Sequence, residues 1–396
     1  MRDAVIIGAA RTPIGSFNGA FAGVGAVALG AVAAEAALAR AGVGGDEVEE
    51  VLLGNIVQAG GGLNPARQTA LAAGVGEPVP ATTINMACAS GLKTVALAAR
   101  AVVAGDAEVV LAGGTECMSD APYLLDKART GYRLGHGTLL DSLLRDGLWC
   151  SNADMHMGST AENVAREYEV SREDQDAFAA ESQARAAAAI EAGRFEEEIV
   201  PVEVPRRRGE PLRVDRDEHP RPGTTREDLA RLRPAFEPPD GTVTAGNASG
   251  INDGAAAVVV ASAEEAERRG VAPLGRVVAH ASVGVAPRVM GIGPVPAVRK
   301  ALAAAGLQAG DIDLFELNEA FAAQSVAVVR ELGLDLEKVN VNGGAIALGH
   351  PVGASGARIL VTLLYEMRRR DVRRGLATLC VGGGQGIALI VERGAA

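Results

Sequence analysis

The sequence predicts an α/β protein built from two copies of one unit, with a long excursion separating them. Three observations carry this. Strand-like segments are continuous apolar runs, Val5-Ile6-Ile7, Val109-Val110-Leu111 and Val258-Val259-Val260, rather than alternating ones. Such runs suit a sheet covered by helices on both faces. The stretches between them are Ala-rich helix patterns, as over 27–41 and 91–103. Finally, the order of features recurs between the two halves of the chain.

In chain order, Met1-Arg2-Asp3 leads straight into Val5-Ile6-Ile7. Acidic Asp3 and Gly8 do not fit a secretory signal, so a cytoplasmic location is expected. The first helix pattern closes in Ala37-Leu38-Ala39-Arg40-Ala41-Gly42, which returns as Ala301-Leu302-Ala303-Ala304-Ala305-Gly306. Asp46 then precedes Val51-Leu52-Leu53-Gly54-Asn55, as Asp311 precedes Leu314-Phe315-Glu316-Leu317-Asn318. Ala89-Ser90-Gly91 is echoed by Ala354-Ser355-Gly356, and a helix pattern follows each. Each copy then reaches an apolar strand ending in glycines, Val109 to Gly114 and Leu376 to Gly384. Chance likeness between Ala-rich helices would match composition but not this order.

Between the copies the character changes. Residues 119–248 hold few strand-like runs, and eight of the 18 prolines fall between Pro201 and Pro239. This reads as a loop domain on the surface. One helix inside it is clear: Ser171 can cap it, with Glu173 and Asp174 in the first turn. The chain returns through Thr244-Ala245-Gly246-Asn247-Ala248-Ser249-Gly250 into a buried strand. The division expected is therefore 1–118 with 249–270 as one half, 119–248 as the loop domain, and 271–396 as the other half.

A length of 396 residues is enough for two or three domains of roughly 100–200 residues. The net charge of −11 argues against nucleic acid as a general partner, since phosphate binding needs a basic surface. No run of 18 consecutive apolar residues occurs, so no membrane span is expected. The four cysteines, Cys88, Cys117, Cys150 and Cys380, form no CxxC, which leaves zinc and thioredoxin-type readings weak. Disulfides are not expected in a reducing compartment.

Four residues could carry chemistry. Cys88 lies in Asn85-Met86-Ala87-Cys88-Ala89-Ser90-Gly91, just before an Ala-rich helix. A helix N-terminus offers free N–H groups and partial positive charge, which favour a reactive thiolate. His350 occupies nearly the same place in the second copy, flanked by glycines from Asn342 to Gly356. If the halves are related by a two-fold, both helix starts point at one cleft, and a base beside a thiol activates it. Cys380 ends a strand and opens Val381-Gly382-Gly383-Gly384-Gln385-Gly386, where backbone N–H groups can face a ligand. Taken alone, Cys380 reads as a core cysteine at a strand end. Asn318, at the start of Asn318-Glu319-Ala320-Phe321, can serve an oxyanion or hold a water, or can simply cap a turn. Cys117 and Cys150 read as packing.

Together these motifs resemble the thiolases, the acetyl-CoA acetyltransferase and 3-ketoacyl-CoA thiolase family. The likeness runs from Arg11-Thr12-Pro13-Ile14-Gly15 to the glycine run at 382. It rests on the Cys88-Ala89-Ser90-Gly91 box, Asn318-Glu319-Ala320-Phe321, the Gly343–Gly356 histidine box, the Cys380–Gly386 box and Thr244 to Asp253. The resemblance implies βαβαβαββ halves in a five-layer α/β/α/β/α arrangement with an inserted loop domain. It implies Cys88 as the acylated nucleophile, His350 as its base, and Cys380 as the acid/base at the substrate α-carbon. Asn318 would hold a water that forms one oxyanion hole with His350. The backbone N–H groups of Cys88 and Gly382 would form the other. Leu148, His156, Arg221, Phe236, Ala245, Ser249, Ala320 and Phe321 resemble the family's coenzyme A and pocket residues.

The same resemblance implies acyl-CoA substrates, acetyl-CoA and coenzyme A among them, with no permanently bound cofactor and no metal. It implies a role in fatty acid metabolism such as β-oxidation, and dimers or dimers of dimers. Tyr132 to Leu143 resembles the loop joining dimers in tetrameric members. Met86-Ala87 stands where many members have Lys and Val, and Ala89 where Gly is frequent, so acyl-chain preference stays open. A ketoacyl synthase-like condensing enzyme would want a histidine or asparagine where Cys380 stands. A non-catalytic acyl-CoA or lipid carrier would lack Cys88, His350 or Cys380. A cysteine hydrolase would leave Cys380 unexplained. Arg206-Arg207-Arg208 reads as a solvated run or as a phosphate contact. Arg368-Arg369-Arg370 with Arg373-Arg374 reads as cations at a helix end.

Overall fold

The computed structural model describes residues 2–394; Met1, Ala395 and Ala396 of the two expected halves lie outside the described residues. Nine principal strands form one long mixed sheet. They are β1 (Ala4–Arg11), β2 (Glu50–Gly54), β3 (Ala81–Ile84), β4 (Val109–Cys117), β5 (Asn252–Ser262), β6 (Gly275–Gly284), β7 (Leu314–Leu317), β8 (Arg374–Val381) and β9 (Gln385–Glu392). In the first half the order is β3-β2-β4-β5-β1, with β2 parallel to β3 and β4, and β5 antiparallel to β4 and β1. The second half repeats it as β7-β8-β9-β6, with β7 parallel to β8 and the rest antiparallel. A parallel bridge from Val339 to Phe315 of β7 takes the place that β3 holds in the first half. The halves meet where Val5 and Ile6 of β1 pair with Arg276 and Gly275 of β6. The repeat seen in the sequence is thus a repeat of strand order and direction.

Continuous apolar strands have a direct cause here. Val110 and Val258 face a central core, while Leu111 and Val259 face an outer one. The central core is built on α3 (Ser90–Ala104) and α8 (Ser355–Arg370), packed on each other between the two half-sheets. The outer faces are covered by α1 (Ala26–Ala41) with α2 (Pro65–Ala72), and by α6 (Pro294–Ala305) with α7 (Ala322–Leu332). Five layers, α/β/α/β/α, result. Every residue of α8 from Ser355 to Met367 is buried, as expected for a helix enclosed on all sides. The window Ala87–Ala104 is apolar enough to cross a membrane, yet it contains α3 and lies in this central layer.

The two central helices start in contact because each start carries a glycine. A Cβ on Gly91 would stand 2.7 Å from Ala357 N, and one on Gly356 would stand 2.3 Å from Leu92 N. Both distances are shorter than any non-bonded contact allows, so α3 and α8 cross only where neither has a side chain. This crossing brings the segments before the two helices, with Cys88 and His350, to one end of the central layer.

The excursion holds α4 (Met157–Glu167) and α5 (Arg172–Glu191). Ser171 caps α5: its hydroxyl accepts from Asp174 N at 3.0 Å, and Asp174 accepts from Ser171 N at 3.2 Å. The chain then re-enters the first half through β5, pairing nine residues in register with β4 from Asp253↔Cys117 to Ala261↔Val109.

Candidate active site

Cys88 sits on a tight turn between β3 and α3. Ala87, the residue before it, takes φ +43°, a left-handed conformation that costs a residue with a Cβ about 1–3 kcal/mol. The turn is pinned from both sides. Asn85 Oδ1 accepts from Ala87 N at 3.0 Å, Ser90 Oγ donates to Ala87 O at 2.7 Å, and Met86 N donates to Ser90 Oγ at 2.9 Å. The strain is therefore held by neighbours. The backbone N–H groups of Gly382 and of Cys88 itself both act on the sulfur to favour its anion. These are the two backbone donors that the family resemblance pairs as an oxyanion hole, and both act on the same sulfur.

Burial nevertheless outweighs those N–H groups and pushes the Cys88 thiol up to about 11, with the carboxylate of Glu116 adding to the rise. The helix-start argument, taken alone, favoured a resting thiolate. Desolvation of the charged form is the larger effect. The resting group is a thiol, which needs a base.

His350 is buried and held at three points. Its N–H donates to Asn252 Oδ1 at 2.9 Å, and Nδ1 lies 2.6 Å from Ser355 Oγ. Ser355 Oγ donates to Pro351 O at 2.9 Å. A hydroxyl has one proton, so with that proton on Pro351 O, Ser355 accepts from Nδ1–H. Nε2 then carries the lone pair. It faces Asn318 Nδ2 at 3.5 Å. Burial, with help from the Arg358 charge, pushes the imidazole down to about 3. His350 is accordingly a neutral base. Gly349 just before it has φ +105°, and a Cβ there would strike the Asn252 carboxamide at 2.5 Å. Glycine is required at that position on both counts.

Cys380 is fully buried near the end of β8, beside Met157, Met290, Ala320 and Phe321. Burial drives its thiol above the ordinary range, and the neighbouring Cys88 sulfur adds to the shift. Two thiols thus lie within electrostatic reach of each other. Asn318 follows β7, where its N–H pairs with Thr378 O at 3.0 Å. Its Oδ1 is buried with no hydrogen-bond partner among the described residues.

The excursion supplies a second wall. His156 caps α4 by accepting from Gly158 N at 3.0 Å and stacks on Phe236 at 4.7 Å. Phe236 in turn meets Phe321 edge-on at 6.4 Å. Ser249 N donates to Ala320 O at 3.0 Å, tying the returning chain to the Asn318 segment. Leu148 packs with Val57, Val352 and Cys88. Arg221 and Ala245 are exposed and outside both groups. Arg221 is anchored by its backbone N–H to Gln183 Oε1 at 2.9 Å. The Arg206-Arg207-Arg208 run is exposed between the paired strands Val202–Val204 and Leu212–Val214. At the end of α8, Arg368 pairs with Glu197, and Arg369 and Arg370 pair with Glu366. Among the described residues, no group of three or more His, Cys, Asp or Glu side chains is placed to hold a metal ion.

Residues without a role in the sequence reading complete the frame. Asn252 and Ser355 stand inside quoted motifs, but their partners are visible only in three dimensions. Glu116 had a usable signal, as the one charged residue in the strand Val109–Cys117.

Comparison with known proteins agrees along the whole chain. Residues 4–264 match the profile described as Thiolase, N-terminal domain, and residues 271–393 match Thiolase, C-terminal domain. An acetyl-CoA acetyltransferase of Escherichia coli is 59% identical over 99% of this chain and 100% of its own. One of Pseudomonas aeruginosa is 58% identical at the same coverage. The crystal structure of the Bacillus anthracis acetyl-CoA acetyltransferase superposes with a TM-score of 0.97 at 47% identity, over 99% of both chains. Matched by both profiles over nearly its whole length and by these relatives from end to end, the chain belongs to the thiolase family.

Proposed function

We propose that this chain is an acetyl-CoA C-acetyltransferase, which condenses two acyl-CoA thioesters or cleaves a 3-ketoacyl-CoA with coenzyme A. The observation that carries the reading is the meeting of the Cys88 sulfur with Gly382 N–H and the Cys380 thiol, in the same end of the central layer as the His350–Asn318 pair. Cys88 attacks the acetyl-CoA carbonyl carbon while its proton passes to His350 Nε2. The negative oxygen is held by the N–H groups of Cys88 and Gly382. One such donor is typically worth about 2.7–4 kcal/mol in barrier. The C–S bond to coenzyme A then breaks, and Cys380 gives its proton to the departing thiolate. Cys380, now ionised, takes the α-proton of a second acetyl-CoA. The new enolate oxygen is held by the proton on His350 Nε2 and by a water on Asn318. The enolate carbon attacks the acetyl group, Cys88 leaves as the thiolate, and it recovers its proton from His350. Both sulfurs end as they began.

Leu148, His156, Arg221, Phe236, Ala245, Ser249, Ala320 and Phe321 line the proposed route of the coenzyme. The aromatic stack and the Ser249–Ala320 tie support this. We take 1–118 with 249–270, 119–248 and 271–396 as the working domains, a cytoplasmic location, and fatty acid metabolism, β-oxidation included, as the setting. Self-association is supported by the outer edge of β3, which is only partly buried along Ala81–Ile84. A dimer of dimers is supported by the loop at 132–143, where Tyr132, Leu134 and Leu139 are exposed.

The test is direct. Acetyl-CoA labelled in the acetyl group should leave one label per chain on Cys88 after a rapid quench, followed by condensation and ping-pong kinetics. Absence of label from Cys88, or full activity in Cys88→Ser, rules the reading out. Thiolysis rates across 3-ketoacyl chain lengths then set the specificity.

A further inference from the structure

Glu116 is fully buried at the end of β4 and accepts four N–H groups from two separate segments. Its Oε1 accepts from Asn55 Nδ2 at 3.0 Å and from Val57 N at 3.1 Å. Its Oε2 accepts from Ile56 N and from Gly353 N, both at 3.0 Å. Ile56 and Val352 belong to the buried cluster against which Val57 and Cys88 both pack. Gly353 lies three residues beyond His350 and opens the approach to α8. One carboxylate therefore grips the wall of the nucleophile and the loop of the base, across the boundary between the halves. The fit leaves no slack: a Cβ on Gly353 would stand 2.5 Å from Glu116 Oε2, and one on Gly114 would stand 2.0 Å from Gly353 O. Burial pushes the Glu116 carboxyl itself up to about 7, so above that pH its negative charge acts on the Cys88 thiol and pushes it up.

We propose that Glu116 is a positioning residue that sets the Cys88 turn and the His350 loop in register, so that thiol and imidazole meet in productive geometry. The inference rests on the reading of Cys88 as the acylated nucleophile. Glu116→Gln keeps the shape but puts an amide NH2 against two of the four donors: at the Oε2 position it releases Gly353 N–H and with it the histidine loop, and at the Oε1 position it loosens the Asn55–Val57 segment. A misplacement of about 1 Å can cost on the order of 100-fold in rate.

The test compares intact wild-type protein, Glu116→Gln and Glu116→Asp. Measured for each are kcat and KM for acetyl-CoA, the pH profile of Cys88 alkylation by iodoacetamide, and thermal unfolding. For Glu116→Gln we expect kcat about 10- to 100-fold lower with KM changed by less than about threefold. Its alkylation profile should move to lower pH because a negative charge is gone. Turnover and thiol ionisation would thus move in opposite directions, which loss of folded protein cannot produce. Glu116→Asp keeps the charge with a shorter reach, so its alkylation profile should stay while kcat falls. If Glu116→Gln does not fold, Glu116→Asp alone carries the comparison. A kcat within twofold of wild type in the folded variants overturns the proposal, as does a kcat loss matched by an equal loss of folded protein with the thiol profile unmoved in Glu116→Gln. Labelling of Cys88 in the wild type tests the underlying reading separately: label there with unaffected Glu116 variants sinks only this inference.

Discussion

The ionisation of Cys88 decides between two ways of running the first step. Burial pushes the thiol up to about 11. At pH 7 that leaves a thiolate fraction of about 10⁻⁴, or about 5.4 kcal/mol to make the anion. An ordinary thiol near pKa 9 would need about 2.7 kcal/mol, so burial adds about the same amount again. The N–H groups of Gly382 and Cys88 already offset part of it. The rest falls to a base that is neutral and open, and His350 is both: its imidazole is pushed down to about 3, and its Nε2 lone pair is free of Ser355. The perturbation is pH alone, and the assay is alkylation of Cys88 by iodoacetamide, with the modified residue located by peptide mass. Cys117, Cys150 and Cys380 are buried and report on any unfolding. The logarithm of the Cys88 rate should climb with a slope near one from pH 6 to pH 9, about tenfold per unit. A rate already flat from pH 6 upward would mean a standing thiolate, and the account of a neutral resting pair would be wrong.

Other consequences follow from the same geometry. Cys380→Ala should condense about 10²- to 10⁴-fold more slowly, the usual worth of a positioned acid or base, and acetylate Cys88 more slowly by a smaller factor, because coenzyme A can also leave as the thiolate; condensation at the wild-type rate would remove Cys380 from the α-proton. Gly91→Ala pushes a Cβ to 2.7 Å from Ala357 N, so denaturant unfolding should show a loss of about 1–3 kcal/mol, the ordinary cost of overpacking. His350 is held neutral in the fold, so the unfolded chain binds the extra proton below about pH 6.5 and stability is lost as pH falls from there. Between pH 6.5 and 4.5 that amounts to about 2–3 kcal/mol, and urea titrations should show His350→Asn lacking this share of the acid loss. Ser355→Ala removes the acceptor of Nδ1–H, freeing the proton to move to Nε2; kcat should fall about 10- to 100-fold, roughly the 1–3 kcal/mol of an orphaned buried donor.

The architecture was legible because its causes are local in the chain. Val109-Val110-Leu111 is apolar on both faces because Val110 and Leu111 meet different cores, and a run of that kind shows in sequence. The glycine at 91 and its echo at 356 showed as a repeat because the same contact between α3 and α8 needs both. Cys88, His350 and Cys380 stood out through their small neighbours. What did not show were relations between atoms distant in sequence. Nothing at 355 tells that its hydroxyl proton goes to Pro351 and so decides the histidine tautomer. Nothing at 252 tells that its carboxamide takes the N–H of His350. The state of the Cys88 thiol was misjudged for the same reason. A helix start can be read along the chain, but the burial that opposes it is set by Val57, Leu148 and Val352, which arrive from elsewhere.

The duplication also bears on why the site is rigid. The histidine loop has few side chains of its own to hold it, since Gly343, Gly344, Gly349 and Gly353 leave its backbone bare. Its fixity comes from buried side chains on other segments. Glu319 accepts from Ile346 N at 3.2 Å and from Ser182, which in turn takes Gly344 N at 3.0 Å. Asn252 takes the N–H of His350, and Glu116 takes that of Gly353. Glu319 belongs to the second half, while Asn252 and Glu116 belong to the first. Buried acceptors are costly to leave unpaired, so Asn252 and Glu116 of the first half are fully satisfied only when the histidine loop of the second half is in place. The same hydrogen bonds that close the boundary between the halves therefore fix the base relative to the thiol, and a change that loosens the boundary should reduce turnover before it unfolds the chain.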